Sequence, residues 1–156
     1  MTPAVKLLDK LAIPYKLHHY HHEESAASFG LEAAEKLAVN AEVIFKTLVV
    51  VTETKTLAVA IVPVDKQLNL KSIAKSLSCK RVAMADPKRV QTTTGYVLGG
   101  VSPFGQKKRL STILDISATQ FDSIFVSGGK RGLEIELSPK DLVTVLSAKT
   151  SAISSG

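Results

Sequence analysis

Apolar positions change period several times along the chain, and each change marks an expected element. Val5, Leu8 and Leu11 recur at helical spacing behind Thr2-Pro3, an N-cap and first-turn proline, so a helix is expected up to Ile13-Pro14. Tyr15 to His22, YKLHHYHH, suits an exposed strand with His18 and Tyr20 on one face. After a loop of small residues, Ser25 to Gly30, a helix over Leu31 to Ala38 turns Ala33, Ala34 and Leu37 inward and Glu32, Glu35 and Lys36 to water. Val43 to Val51, VIFKTLVVV, is apolar in both phases and predicts a strand covered on both faces. The polar turn Glu53 to Lys55 leads into a second such run, Thr56 to Val64, and the two are expected to pair antiparallel.

Further on, Asn69 is placed to cap a helix through Leu77, with Leu70, Ile73, Ala74 and Leu77 inward. A short strand around Val82 to Met84 and a short helix opened by Asp86-Pro87 follow. Strands are expected over Leu110 to Leu114, Ser123 to Val126 and Leu133 to Leu137. The last would place Glu134 and Glu136 on a half-exposed face. Ser138-Pro139 opens a final helix, and Ser151 to Gly156 are expected to fray.

Against this pattern a few residues stand out. Lys46 interrupts a strand that is otherwise apolar on both sides. An unpaired ammonium buried there costs several kcal/mol, so it must reach the sheet rim, lose its proton more easily, or meet an anion. Gly95 to Arg109, GYVLGGVSPFGQKKR, is rich in glycine and ends in Lys107, Lys108 and Arg109. It reads either as a ligand-binding loop or as a long connection with a solvated basic end. SGGKRG, Ser127 to Gly132, repeats that character, with Lys130 and Arg131 set among glycines. Phe29 could stack on a flat ligand or staple its helix. Tyr20 could donate a hydrogen bond. His18, His19, His21 and His22 lack the Cys, Asp or second His cluster that would complete a metal set, so they read as strand-end histidines. Cys79, the lone cysteine, has no acid or base partner at a nucleophile's spacing and reads as structural.

Length and charge narrow the picture. The 156 residues, 45% of them hydrophobic, fit one domain with a sizeable core. A formal net charge of +6 points towards a polyanionic partner. One cysteine and no secretory leader fit a reducing cytoplasm. The apolar runs are strand-length and do not span a membrane.

Tyr20, SFG at Ser28 to Gly30, FKTL at Phe45 to Leu48, the Gly95 to Arg109 loop and SGGKRG, taken together and in this order, resemble the YbaK family. These are bacterial deacylases that remove cysteine mischarged onto tRNA for proline, related to an editing domain inserted in some prolyl-tRNA synthetases. The resemblance runs from the TPA start through the closing helix. It implies a mixed α/β fold of the α+β type: a twisted, barrel-like, largely antiparallel sheet with helices around it, in one domain over residues 1–156. It places the family's essential lysine at Lys46 and its pocket aromatics at Tyr20 and Phe29. Gly99 falls in the loop bordering the acceptor end, and Ser127 at a pocket serine. Gly100, Ser102, Gly128 and Gly129 join the expected substrate-binding set. Glu134 stands where relatives can carry Asp, and Phe104 where close relatives often have Leu.

Aminoacyl-ester cleavage needs a nucleophile and a place for oxyanion charge, and no protein nucleophile is evident in the sequence. In the YbaK family the cysteinyl thiol is thought to attack its own ester carbonyl, leaving the protein to orient and polarise. The resemblance therefore implies a deacylase for Cys-tRNA(Pro) that needs no cofactor and no metal. Lys107, Lys108, Arg109, Lys130 and Arg131 would steer tRNA through salt-sensitive contacts. Prolyl-tRNA synthetase is an implied partner, whereas DNA and membranes are not. Two other readings stay open: an Ala-tRNA(Pro) deacylase of the same fold, and a non-catalytic tRNA- or RNA-binding module.

Overall fold

Two strands without a polar face form the middle of the fold. A computed structural model describes residues 1–24 and 28–156; Ser25 to Ala27 of the expected small-residue loop lie outside the described residues. The strands β2 (Phe45–Thr52) and β3 (Leu57–Pro63) pair antiparallel, with Phe45 opposite Pro63 and Val51 opposite Leu57. All of β3 is buried, as its two-sided apolar pattern requires.

Around this pair a five-stranded sheet runs in the order β5 (Val82–Met84), β2, β3, β6 (Ser111–Asp115), β9 (Lys149–Ser151). β6 lies parallel to both its neighbours. A second sheet, antiparallel throughout, orders β1 (Lys16–His19), β8 (Leu133–Leu137) and β7 (Ile124–Ser127). One parallel bridge, Ile44 to Phe125, joins the sheets. β4 (Gln67–Leu68) pairs with β10 (Ser154–Ser155). Most pairings are thus antiparallel, as expected, but the sheets stay open and do not close into a barrel.

Among the described residues, five α-helices cover the sheets: α1 (Pro3–Lys10), α2 (Phe29–Lys36), α3 (Leu70–Ser76), α4 (Pro87–Thr94) and α5 (Pro139–Leu146). Thr2, Ser28, Asn69 and Ser138 each accept a backbone N–H of the first turn, which satisfies donors that a helix start leaves open. Because Ser28 is the cap, α2 begins two residues earlier than expected and Phe29 sits in its first turn. Leu70, expected inward on α3, is 39% exposed.

The main core gathers Phe45, Val49 and Ile61 from one face of the large sheet, Leu8 of α1, Leu142 of α5 and Phe104 of the long loop. Val50, Ala60, Val62 and Ile113 on the opposite face pack against Ile73 of α3. A smaller cluster sets Ala33 and Ala34 of α2 on Ile44, Val64 and Phe125 at the seam between the sheets. Each large side chain buried this way contributes about 1.5–3 kcal/mol.

The C-terminal residues do not fray. β9 and β10 are both paired and Ile153 is fully buried. Asp115 secures them: one carboxylate oxygen accepts Ile153 N–H at 2.9 Å and Ser154 N–H at 3.1 Å, and the other accepts the Ser117 hydroxyl at 2.6 Å. Small polar residues suggested disorder because the buried acid that satisfies their backbone lies far away in sequence.

Candidate functional site

One edge of β2 is paired along its length and the other only near its ends. Val64 N–H donates to Ile44 C=O and Thr52 N–H to Thr56 C=O, both at 2.9 Å, which turns the backbone groups of the even-numbered β2 residues towards β3. Antiparallel alternation then turns those of Phe45, Thr47 and Val49 to the opposite edge. There Ala85 N–H donates to Val49 C=O at 3.0 Å and Ile44 bridges to Phe125, but among the described residues no strand pairs opposite Thr47. β5 cannot continue, since Asp86-Pro87 turns the chain into α4. A cleft of about 380 Å³ opens in this gap.

Its walls come from four places. β2 supplies Lys46 and Thr47, the small sheet supplies Ser127 and Glu134, and Tyr20 follows β1. Phe29 begins α2, and Leu98 and Gly99 descend from the long loop. Tyr96 holds that loop at its base: its hydroxyl donates to Phe104 C=O at 2.6 Å, while Lys107 N–H donates to Thr94 C=O at 3.0 Å. Burial pushes the Tyr96 phenol up to about 12, so it stays a donor. Gly99 needs to be glycine twice over. Its φ is +85°, and a Cβ would stand 2.6 Å from the Phe29 ring. At Gly100 a Cβ would meet Lys130 Cα at 3.0 Å, so the GG pair packs directly on the SGGKRG turn.

The ionisable groups divide into two poles. Lys46 is half-buried and has no ion-pair partner within 4 Å among the described residues. Burial lowers its pKa, with the charge of Asp65 pulling weakly the other way. Glu134, expected on a half-exposed face, is 7% exposed; burial alone raises its carboxyl to about 8. Tyr20 is pushed up to about 12, first by burial and then by the neighbouring Glu134 charge. It therefore faces the cleft as a protonated phenol.

Glu32 also departs from expectation. It is buried, and its carboxylate accepts Glu23 N–H at 2.8 Å and bonds the His22 ring at 2.7 Å. Burial raises its pKa, but these bonds outweigh that and hold the carboxyl below its usual range. The pairing fixes the end of the β1 segment against α2. His18 similarly meets Glu136 at 2.8 Å, so two of the four histidines pair with carboxylates.

Of the residues singled out in the sequence, the structure brings Tyr20, Phe29, Lys46, Gly99, Ser127 and Glu134 to one cleft. Gly100, Gly128 and Gly129, expected to bind substrate, are not among the residues that line it; they pack on Lys130, Leu133 and Tyr96 respectively. Ser102, expected to bind substrate, is fully buried, and its hydroxyl accepts Phe104 N–H inside the loop. Arg109 lies at the end of α5, donating to Ser147 Oγ at 3.0 Å and Val145 C=O at 3.4 Å. Lys107 lines a separate, more open groove with Lys88 and Gln91. Lys108 and Lys130 are exposed. Arg131, expected to steer tRNA, is exposed and also braces the cleft mouth: it lies 4.4 Å over the Phe29 ring and donates to Leu98 C=O at 2.8 Å.

Thr47 was missed in the sequence. It lines the cleft, and its hydroxyl is the one buried side-chain polar atom without a hydrogen-bond partner among the described residues. A polar residue in the apolar phase of Phe45 and Val49 was the available signal. Cys79 lies apart from the cleft, its thiol pushed up first by burial and then by the Glu53 charge, which makes it a poor nucleophile.

The cleft lies at a split in a mixed sheet and, among the described residues that line it, carries one lysine, Lys46, and one buried carboxyl, Glu134. The aminoacyl-tRNA editing domain model matches residues 23–145, and the chain belongs to that family. It is 37% identical over 152 residues to the Enterococcus faecalis protein named "Putative Cys-tRNA(Pro)/Cys-tRNA(Cys) deacylase EbsC", covering 97% of this chain and 92% of that one. The Bacillus subtilis protein YwhH, uncharacterized, is 30% identical over 119 residues, 76% of this chain and 75% of that one. Among solved structures, the hypothetical protein APE2540 superposes with a TM-score of 0.88 at 24% identity, covering 99% of this chain and all of that one. A "putative trans-editing enzyme for prolyl tRNA synthetase" superposes at 0.86 with 22% identity over 100% and 99% of the two chains. Both share the fold.

Proposed function

We propose that residues 1–156 act as a single trans-editing domain that removes cysteine from mischarged Cys-tRNA(Pro). The observation that carries this reading is the cleft with Lys46 unpaired on its wall, in a chain 37% identical across nearly its whole length to a protein named for that activity. An unpaired cation in a half-buried wall is ready for a phosphate or developing negative charge.

In this mechanism the protein orients and the substrate supplies the nucleophile. The cysteinyl sulfur forms a bond to its own ester carbonyl carbon and the bond to the ribose oxygen breaks. The thiol proton leaves the sulfur and a proton completes the ribose hydroxyl. Lys46 holds the terminal phosphate or the oxyanion, Tyr20 donates from its protonated phenol, and Phe29 stacks on the acceptor end with Gly99 close behind. Holding the thiol near the carbonyl replaces a bimolecular attack, which is worth a large fraction of the barrier. Exposed Lys108 and Lys130 would meet the tRNA backbone. Prolyl-tRNA synthetase is the proposed partner for choosing the tRNA, and the cytoplasm the proposed location.

The test is deacylation of Cys-tRNA(Pro) and Ala-tRNA(Pro) side by side. Faster loss of cysteine supports the reading; faster loss of alanine transfers it to the alanyl substrate. Tight tRNA binding with no hydrolysis of either would leave a binding module.

A further inference from the structure

Among the described residues, the cleft lining carries one ammonium, Lys46, and one carboxyl, Glu134, and they do not pair with each other. Lys46 comes from β2 and feels the charge of Asp65, outside the cleft lining. Glu134 comes from β8, opposite Ser127 in the ladder, and shares its side of the cleft with Tyr20. No hydrogen bond or ion pair to the Glu134 carboxyl exists among the described residues, and burial raises its pKa. Glu134 is buried and lines the cleft. A buried carboxyl without a partner is costly and serves no purpose in folding, because a neutral side chain of its shape would fit at lower cost.

The substrate class proposed above is itself dipolar. An aminoacylated tRNA end has phosphates on one side of the ester and an α-ammonium on the other. We propose that Glu134 receives the α-ammonium of the aminoacyl group, so that Lys46 and Glu134 together fix the direction in which the ester lies across the cleft. The inference rests on the deacylase reading and adds to it a specificity: esters with a free α-amine are accepted and esters without one are not. Arrival of the ammonium supplies the opposite charge that Glu134 lacks, and the carboxyl gives up its proton to solvent as the pair forms. Tyr20, next to the carboxyl, remains uncharged and can donate to it or to the substrate.

The experiment compares Cys-tRNA(Pro) with 3-mercaptopropionyl-tRNA(Pro), which keeps the thiol and the ester and lacks only the amine. Both are given to the wild type and to Glu134→Gln, a neutral side chain of the same shape. Loss of the amine should lower wild-type kcat/KM by about 100-fold, the scale of losing one member of a buried charge pair. Glu134→Gln should lose a similar factor on Cys-tRNA(Pro) and little on the deaminated ester, so that the two substrates become nearly equivalent. Hydrolysis in which Glu134→Gln still prefers the free amine as strongly as the wild type would overturn the proposal alone. No hydrolysis of Cys-tRNA(Pro) by the wild type would overturn the deacylase reading and this proposal with it.

Discussion

The guanidinium of Arg131 lies 4.4 Å over the ring of Phe29 and donates to the carbonyl of Leu98, tying the SGGKRG turn, the start of α2 and the long loop together at one side of the cleft. Behind Phe29 the contact continues through His22, 5.4 Å away ring to ring, to the buried Glu32. Arg131 therefore shapes the pocket, whereas its neighbour Lys130 points to solvent without such a contact. An exposed cation–π contact is worth about 0.5–1 kcal/mol and a hydrogen bond from a charged group about 1.5–3 kcal/mol. Arg131→Ala should thus lower kcat/KM by roughly 10-fold or more, by an amount that changes little with salt. Lys130→Ala should show a smaller loss that fades as salt rises. Kinetics at two ionic strengths separate the two roles.

Glu134 makes stability depend on pH. Burial lifts its carboxyl from 4.5 to about 8, so the folded protein keeps the proton where the unfolded chain has lost it. The contribution of the neutral acid is fully present below about pH 4.5 and disappears as pH climbs through 8. Glu134→Gln removes this dependence. Its melting temperature should exceed that of the wild type by several degrees at pH 8.5 and match it near pH 4.5. Equal pH profiles for the two proteins would show that the carboxyl is paired.

Thr47 offers a second case of local cost at the cleft. Its buried hydroxyl has no hydrogen-bond partner among the described residues, and such a group costs about 1–3 kcal/mol. Thr47→Val keeps the shape and removes the cost, so denaturant unfolding should show equal or greater stability. A loss above about 1 kcal/mol would mean that the hydroxyl is bonded in solution.

Thr2 joins the first helix to the glycine turn. Its hydroxyl accepts Val5 N–H as the α1 cap and donates to Gly128 C=O beside the cleft. Thr2→Ala should cost about 1 kcal/mol, measured by denaturant unfolding, and Thr2→Ser should restore most of it.

Much of this arrangement could be read from the sequence, and the reason differs by element. Two-sided apolar runs reported β2 and β3 directly, and the helix starts were marked by Thr2-Pro3, Asn69 and Ser138-Pro139. Lys46 stood out because a charge in an apolar strand demands an explanation, and the cleft in the sheet supplies one. Alternation along β8 misplaced Glu134 because period two reports which residues share a face and not how deeply each is buried: Glu134 is buried, while Glu136 on the same face is only partly so. The contacts of Arg131 and Arg109 were not legible for a similar reason: Phe29, Leu98 and Ser147, their partners, are distant in sequence. The chain end looked frayed until Asp115, nearly forty residues earlier, supplied its acceptors.

The most direct measurement is the single-turnover rate of Cys-tRNA(Pro) deacylation by the wild type and by Lys46→Ala, with folding of the variant checked by its melting curve. The account predicts release of cysteine well above the spontaneous rate by the wild type and a fall of about 100-fold or more in the folded variant, the scale of losing one charge-stabilising group. A wild type no faster than the spontaneous reaction, or a folded Lys46→Ala with an unchanged rate, would contradict it.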